Sequence, residues 1–154
     1  MSSIDFLEPR AVLPSVRATA KKQLLMELSI AAAAMTGLPD REIFDALLQR
    51  ERLGSTGIGS GIAIPHGKFA SVKALFGLFA RLEKPLDFEA LDGEPVDLVF
   101  VLLAPEGAGA DHLRALARVA RVFRDTETVR KLRTTRDAEA LYALLTNGQS
   151  SQAA

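Results

Sequence analysis

The chain has 154 residues, 48% of them hydrophobic, and no cysteine. That is enough for one domain with a substantial core, and it excludes disulfides, thiol catalysis and thiolate metal sites, as fits a cytosolic protein. Nineteen basic and nineteen acidic residues cancel, which argues against general nucleic-acid or membrane binding. No apolar run reaches the ~18 residues of a transmembrane helix. Met1 to Asp5 lack the basic and apolar regions of a signal peptide, so a cytoplasmic single domain over residues 1–154 is expected.

Val12, Leu13 and Val16 form a β-prone piece broken by Pro14, which predicts an edge strand or loop. Thr19 is placed to cap a helix running to about Met35, with Leu24, Leu25, Leu28, Ala31, Ala32 and Met35 on one face and Gly37 at its end. Asp40 is expected to cap a second helix with Ile43, Phe44, Leu47 and Leu48 inward. Arg50 shares the stripe of Ile43 and Leu47 and sits in the last turn, where a cation suits the helix dipole.

The next stretch, Leu53 to Lys68, holds five of the eleven glycines and one of only two histidines. Glycines allow positive φ and close approach of backbone N–H groups to a ligand. Ile62-Ala63-Ile64 is β-prone, and Pro65 stops it just before His66. The expectation is an imidazole at a strand end beside a glycine-rich loop able to receive an anion. Nucleotide motifs fail here. Gly57, Gly59 and Gly61 precede a strand-like piece where a dinucleotide fingerprint needs a helix, and Phe69 stands where a phosphate loop needs Ser or Thr.

Val72 to Leu82 and Val96 to Ala104 read as strands buried on both faces, with turns at Glu83 to Pro85 and Leu91 to Pro95. Asp111 is expected to cap a third helix with Leu113, Leu116, Ala120 and Phe123 on its inner stripe. A segment around Glu127 to Leu132 and a last helix from Asp137 to Leu145 follow, with Leu141 and Leu144 inward. Asn147-Gly148 is expected to stop that helix and leave 147–154 as a frayed tail. Between Arg114 and Arg136 eight basic residues face only Asp125 and Glu127 as acids. Arg114, Arg118 and Arg121 share a helical face, which is either a solvated surface or a dock for an acidic protein. The pattern predicts an α/β sandwich, a mixed central sheet with helices on both faces.

Arg50 through Gly59, followed by Ile62-Ala63-Ile64-Pro65-His66-Gly67, resembles the phosphorylation-site signature of enzyme IIA domains of the bacterial phosphoenolpyruvate:sugar phosphotransferase system, fructose/mannitol type. The nitrogen-regulatory branch is the most similar, and the likeness extends over about residues 3–146. The resemblance implies the same architecture. It implies that His66 is the phosphoacceptor through its tele nitrogen, that Arg50 stabilises the phosphoryl group, and that His112, in Asp111-His112-Leu113, is the second histidine of the site. It further implies a small HPr-type phosphohistidine protein as donor, and either regulatory target proteins or a IIB domain of a permease as the next partner.

The chemistry needs an unprotonated ring nitrogen, available at neutral pH for an imidazole of pKa about 6.5. Around the transferred group it needs donors that offset negative charge. Candidates are Arg50, the backbone of Gly54, Gly57, Gly59 and Gly61, the hydroxyls of Ser55 and Thr56, and Lys68. His112, at a predicted helix start, is either part of this site or a surface histidine. Two histidines are too few for zinc, and Asp97 and Asp111 add no recognised ligand spacing, so neither metal nor other cofactor is expected. The functional readings are a regulatory phosphocarrier, a sugar-transport IIA component, or a binding module without chemistry.

Overall fold

A computed structural model describes residues 4–152, with side chains as far as Thr146. Six strands form one mixed sheet: β1 (Leu7–Val16), β2 (Gly57–Gly59), β3 (Ile62–Ala63), β4 (His66–Phe69), β5 (Phe76–Leu86) and β6 (Val96–Pro105). The order is β1-β5-β6-β3-β2, and β4 pairs with β6 beyond β3. β1 runs parallel to β5, β5 antiparallel to β6, and β3 and β4 both parallel to β6. Five helices complete the α/β domain: α1 (Lys21–Thr36), α2 (Asp40–Arg52), α3 (Ala110–Val122), α4 (Thr126–Thr134) and α5 (Ala138–Gln152).

β6 is the axis. From Leu98 to Ala104 every residue is buried, as a strand covered on both faces requires. α1 and α2 pack on each other and reach β5 and β4, while α3 and α4 pack on α5, which lies against β1. Phe79 and Phe100, paired across β5 and β6, meet Phe123 at the end of α3. As the interrupted apolar pattern suggests, β1 is an edge strand, and an edge tolerates the missing donor of Pro14.

Several expected boundaries shift. Ala20, Pro39 and Gly109 hold the N-cap positions of α1, α2 and α3, and none makes a side-chain cap bond. Thr19 instead bonds the Gln23 side chain through both its N–H and its hydroxyl. Asp40 and Asp111 are first-turn residues, where a carboxylate suits the positive end of the dipole. Glu83 to Pro85 lie within β5, which continues past an irregularity to pair Leu86 with Val96. The helix expected to stop at Asn147-Gly148 runs to Gln152, since one helical glycine costs only about 1 kcal/mol. Of the tail expected to fray, 153–154 lie outside the described residues. No helix among the described residues is long and apolar enough to cross a membrane.

The largest correction is the inner stripe of α3. His112, Ala115, Val119 and Val122 are buried, whereas Leu113 is 68% exposed. The helix is turned by about one residue from the expected face, and the turn brings His112 inside.

Candidate active site

The site is built at one end of β6. β3 and β4 lie along the same edge of this strand in one unbroken register, Ile62 opposite Leu98 and His66 opposite Leu102. Ile64 and Pro65 interrupt the pairing without shifting it. Pro65 has no N–H to give, and the Ile64 N–H turns away to the Thr56 carbonyl at 3.0 Å. His66 is therefore the first residue of β4, not the end of a strand running into a loop.

Two bonds fix the half-buried imidazole. Nδ1–H donates to the Ile64 carbonyl at 2.8 Å, and Nε2 accepts from Arg50 Nε at 3.3 Å. Both assign the same tautomer, with the lone pair on Nε2. Arg50 comes from the last turn of α2, and its Nη1 also donates to the Gly54 carbonyl at 2.9 Å, which ties the guanidinium to the chain just past the end of the helix. Burial pushes the His66 pKa below the ordinary imidazole value. The Ile64 bond opposes this, the Arg50 charge adds to it, and the Glu51 charge opposes it. His66 is thus biased toward its neutral form at neutral pH.

His112 enters from the first turn of α3, its ring 5.5 Å from that of His66 and inclined at 66°. It is buried, and its Nε2 has no hydrogen-bond partner among the described residues. Leaving a buried polar atom unpaired costs about 1–3 kcal/mol, an expense that an oxyanion would remove in the tautomer that carries the proton on Nε2. Burial lowers its pKa, and His66 and Lys68 lower it further. With Gln49, Arg50, Arg52, Leu53 and Lys68, the two histidines line an open cavity of about 630 Å³. Leu53 is 85% exposed at this cavity.

Of the expected anion loop, only Gly54 reaches the site, through its carbonyl. The Ser55 hydroxyl donates to the Phe88 carbonyl, and the Thr56 hydroxyl to the Glu51 carboxylate. Gly57 packs against Ala90, where an added Cβ would lie 2.8 Å from that residue's Cβ. Gly59 lies beside Asp92 and Gly61 beside Arg133 and Asp97. The Gly61 carbonyl accepts from the Asp97 and Leu98 N–H groups. In that register Gly61 stands five residues along the edge of β6 from His66, about 16 Å at strand spacing. These glycines serve close packing and positive φ (Gly59 at 107°, Gly61 at 82°) rather than a phosphoryl cradle. The end of the sheet they occupy has its own cavity, lined by Arg124, Arg130 and Arg133, with no histidine. Asp97 and Asp111 are engaged by Arg133 and Arg114.

Glu51 and Lys21 escaped the sequence reading. Glu51 alternates with Arg50 in a charged run, Arg50-Glu51-Arg52, that reads as a solvated helix end. Nothing local shows that its carboxylate turns inward.

Residues 5–148 match the family described as the phosphoenolpyruvate-dependent sugar phosphotransferase system, EIIA 2. A nitrogen regulatory protein of Bradyrhizobium diazoefficiens is 57% identical over 145 residues, covering 94% of this chain and 95% of that one. Its counterpart in Escherichia coli K12 is 42% identical over 138 residues, covering 88% and 84%. The crystal structure of nitrogen regulatory protein IIA-Ntr from Neisseria meningitidis superposes with a TM-score of 0.88 at 38% identity, covering 92% of this chain and 97% of that one. With the match spanning nearly its whole length, the chain belongs to the EIIA 2 family of the phosphotransferase system.

Proposed function

We propose that this protein is a cytoplasmic phosphocarrier that accepts a phosphoryl group on His66 Nε2 from an HPr-type phosphohistidine protein, and that its phosphorylation state governs regulatory partners. The observation that carries the reading is the pair of bonds on His66. A neutral imidazole has its Nε2 lone pair directed at a guanidinium, beside a buried His112 nitrogen that lacks a partner among the described residues.

The transfer follows from that arrangement. The Nε2 lone pair attacks phosphorus as the donor's P–N bond breaks, and that bond's electron pair stays on the donor's ring. The Nδ1 proton remains on its bond to the Ile64 carbonyl. Negative charge on the equatorial oxygens is met by Arg50, which exchanges its bond to Nε2 for one to oxygen, and by the His112 imidazole. Lys68, at the cavity rim, adds positive charge. The exposed Leu53 gives an apolar contact for the donor's surface.

The regulatory role is favoured by two extensively covered relatives named nitrogen regulatory proteins. The family's description as a sugar phosphotransferase component favours a second reading, in which His66 passes its phosphoryl group to a IIB domain of a permease. One experiment addresses both. Incubation with phosphoenolpyruvate, the first enzyme of the relay and an HPr-type donor should add one acid-labile, alkali-stable phosphate, mapped to His66 by tandem mass spectrometry at alkaline pH. Label that persists in His66→Ala would sink the assignment. Chase of the phosphorylated protein with a IIB domain then separates the roles, since rapid loss of label to IIB indicates transport.

A further inference from the structure

Two chain paths hold His66 and its guanidinium partner, and both start at Glu51. Its carboxylate is 2% exposed and forms a 2.9 Å ion pair with Lys21 from the first turn of α1. The same carboxylate receives the Thr56 N–H at 3.0 Å on Oε1 and the Thr56 hydroxyl on Oε2. The Thr56 carbonyl takes the Ile64 N–H at 3.0 Å, and the Ile64 carbonyl takes the His66 Nδ1–H at 2.8 Å. A continuous hydrogen-bonded path thus runs from Lys21 through Glu51, Thr56 and Ile64 to the imidazole. The second path is shorter. The Glu51 carbonyl accepts the Gly54 N–H at 3.1 Å, and the Gly54 carbonyl holds Arg50 Nη1.

We propose that the buried Glu51 carboxylate, anchored by Lys21, is a positioning residue for phosphoryl transfer, fixing through Thr56 and Ile64 the tautomer and orientation of His66. The proposal rests on the reading of His66 as the phosphoacceptor. A buried Lys–Glu pair is a poor source of net stability, because desolvation offsets most of its Coulombic attraction. What the pair supplies is direction. An ionised carboxylate is an acceptor only, so it can take the Thr56 N–H, the Thr56 hydroxyl and the lysine together, and no donor of its own competes. Thr56 is left with a single orientation, and its carbonyl meets the Ile64 N–H, which faces β2 on the side of the chain away from β6. The strand break before His66 thereby becomes a fixed distance between two peptide groups. Lys21 is itself held, with its ammonium 4.6 Å from the centre of the Phe88 ring.

The test separates positioning from stability. Lys21→Met/Glu51→Met exchanges the ion pair for apolar side chains of similar length, a replacement that often leaves stability unchanged. Glu51→Gln, which keeps one acceptor oxygen, serves as the conservative variant and as the fallback if the double variant does not fold. The tautomer is read on the unphosphorylated protein by long-range proton–nitrogen NMR of the His66 ring, and transfer by the rate of phosphate gain from the HPr-type donor. Wild type should show one tautomer, protonated at Nδ1. In the folded double variant the ring should average between tautomers and transfer should slow by about ten- to a hundredfold, the scale expected of a misplaced reacting group. Glu51→Gln should recover part of both. A folded double variant with the wild-type tautomer and rate overturns the proposal, as does a rate that simply follows melting temperature across the variants. Failure of wild type to take phosphate on His66 would instead overturn the phosphoacceptor reading, and the tautomer measurement would still decide what Glu51 does.

Discussion

Arg50 and His112 offer His66 different things. On the proposed phosphoacceptor reading, Arg50, which donates to His66 Nε2, must let go of that nitrogen for a P–N bond to form, so its contribution would be greatest once charge has moved onto the phosphoryl oxygens. His112 is buried, and its Nε2 has no partner among the described residues. Arg50→Ala should therefore slow phosphoryl transfer by about a hundredfold in a folded protein. His112→Ala should slow it by about tenfold or more, the value of a hydrogen bond to a charged group. His112→Gln, which keeps a donor, should lie between His112→Ala and wild type. Single-turnover rates with phosphorylated donor make the comparison, and rates equal to wild type in both His112 variants would return His112 to a packing role. That Arg50 points toward the Pro-His step was readable from the helix period, whereas the roles of Arg50 and His66 came from the resemblance to enzyme IIA domains. The burial of His112 was not readable, since Leu113 is the better hydrophobe and only the docking of α3 on the sheet decides which of the two turns in.

At the scale of the elements, the glycine-rich stretch was legible as special but not as to its purpose. Positive φ and missing side chains look the same in sequence whether backbone approaches a ligand or another strand. Register settles it: β2 and β3 pair at the far end of β6, and Gly61 at φ 82° has Arg133 Nη2 where a Cβ would sit. Gly61→Ala must adopt a left-handed conformation that costs a side chain about 1–3 kcal/mol, and it must displace Arg133 from Asp97 and the Ser60 carbonyl. A lower urea midpoint is expected, with phosphate acceptance by the folded protein close to wild type. Loss of acceptance without loss of stability would put the loop back in the site. The cap positions were misplaced for a related reason, because Thr19, Asp40 and Asp111 have cap chemistry while the backbone turns one or two residues to either side of them.

Across the whole molecule, both imidazoles are held below their ordinary pKa, chiefly by burial. The unfolded chain therefore takes up protons before the folded one as pH falls through about 6.5. Stability linked to the two histidines is complete above that pH and is lost as acid reaches their lower folded values. Urea midpoints of wild type should fall between pH 7 and pH 5 more steeply than those of the His66→Ala/His112→Ala double variant. Parallel slopes would show that the histidines contribute nothing to acid sensitivity. The mixed sheet covered on both faces was readable from the two long apolar runs that became β5 and β6. Strand order was not, because it depends on which edge of β6 the short segments around Pro65 choose, and segments of two to four residues carry too little pattern to say.

The unbroken register of β3 and β4 along β6 has a consequence for which changes in length this protein can accept. Side chains on a strand alternate between faces, so a residue's parity decides where it points. The interruption at Ile64-Pro65 keeps parity: Ile62 and His66 stay in step with Leu98 and Leu102. One residue inserted or deleted between Ala63 and His66 would leave the composition nearly intact and turn the imidazole to the other face of the sheet, away from both Arg50 and His112. The short spacing ahead of His66 thus behaves as a reading frame. Substitutions within it are graded in effect, whereas a change of one in its length is all or none.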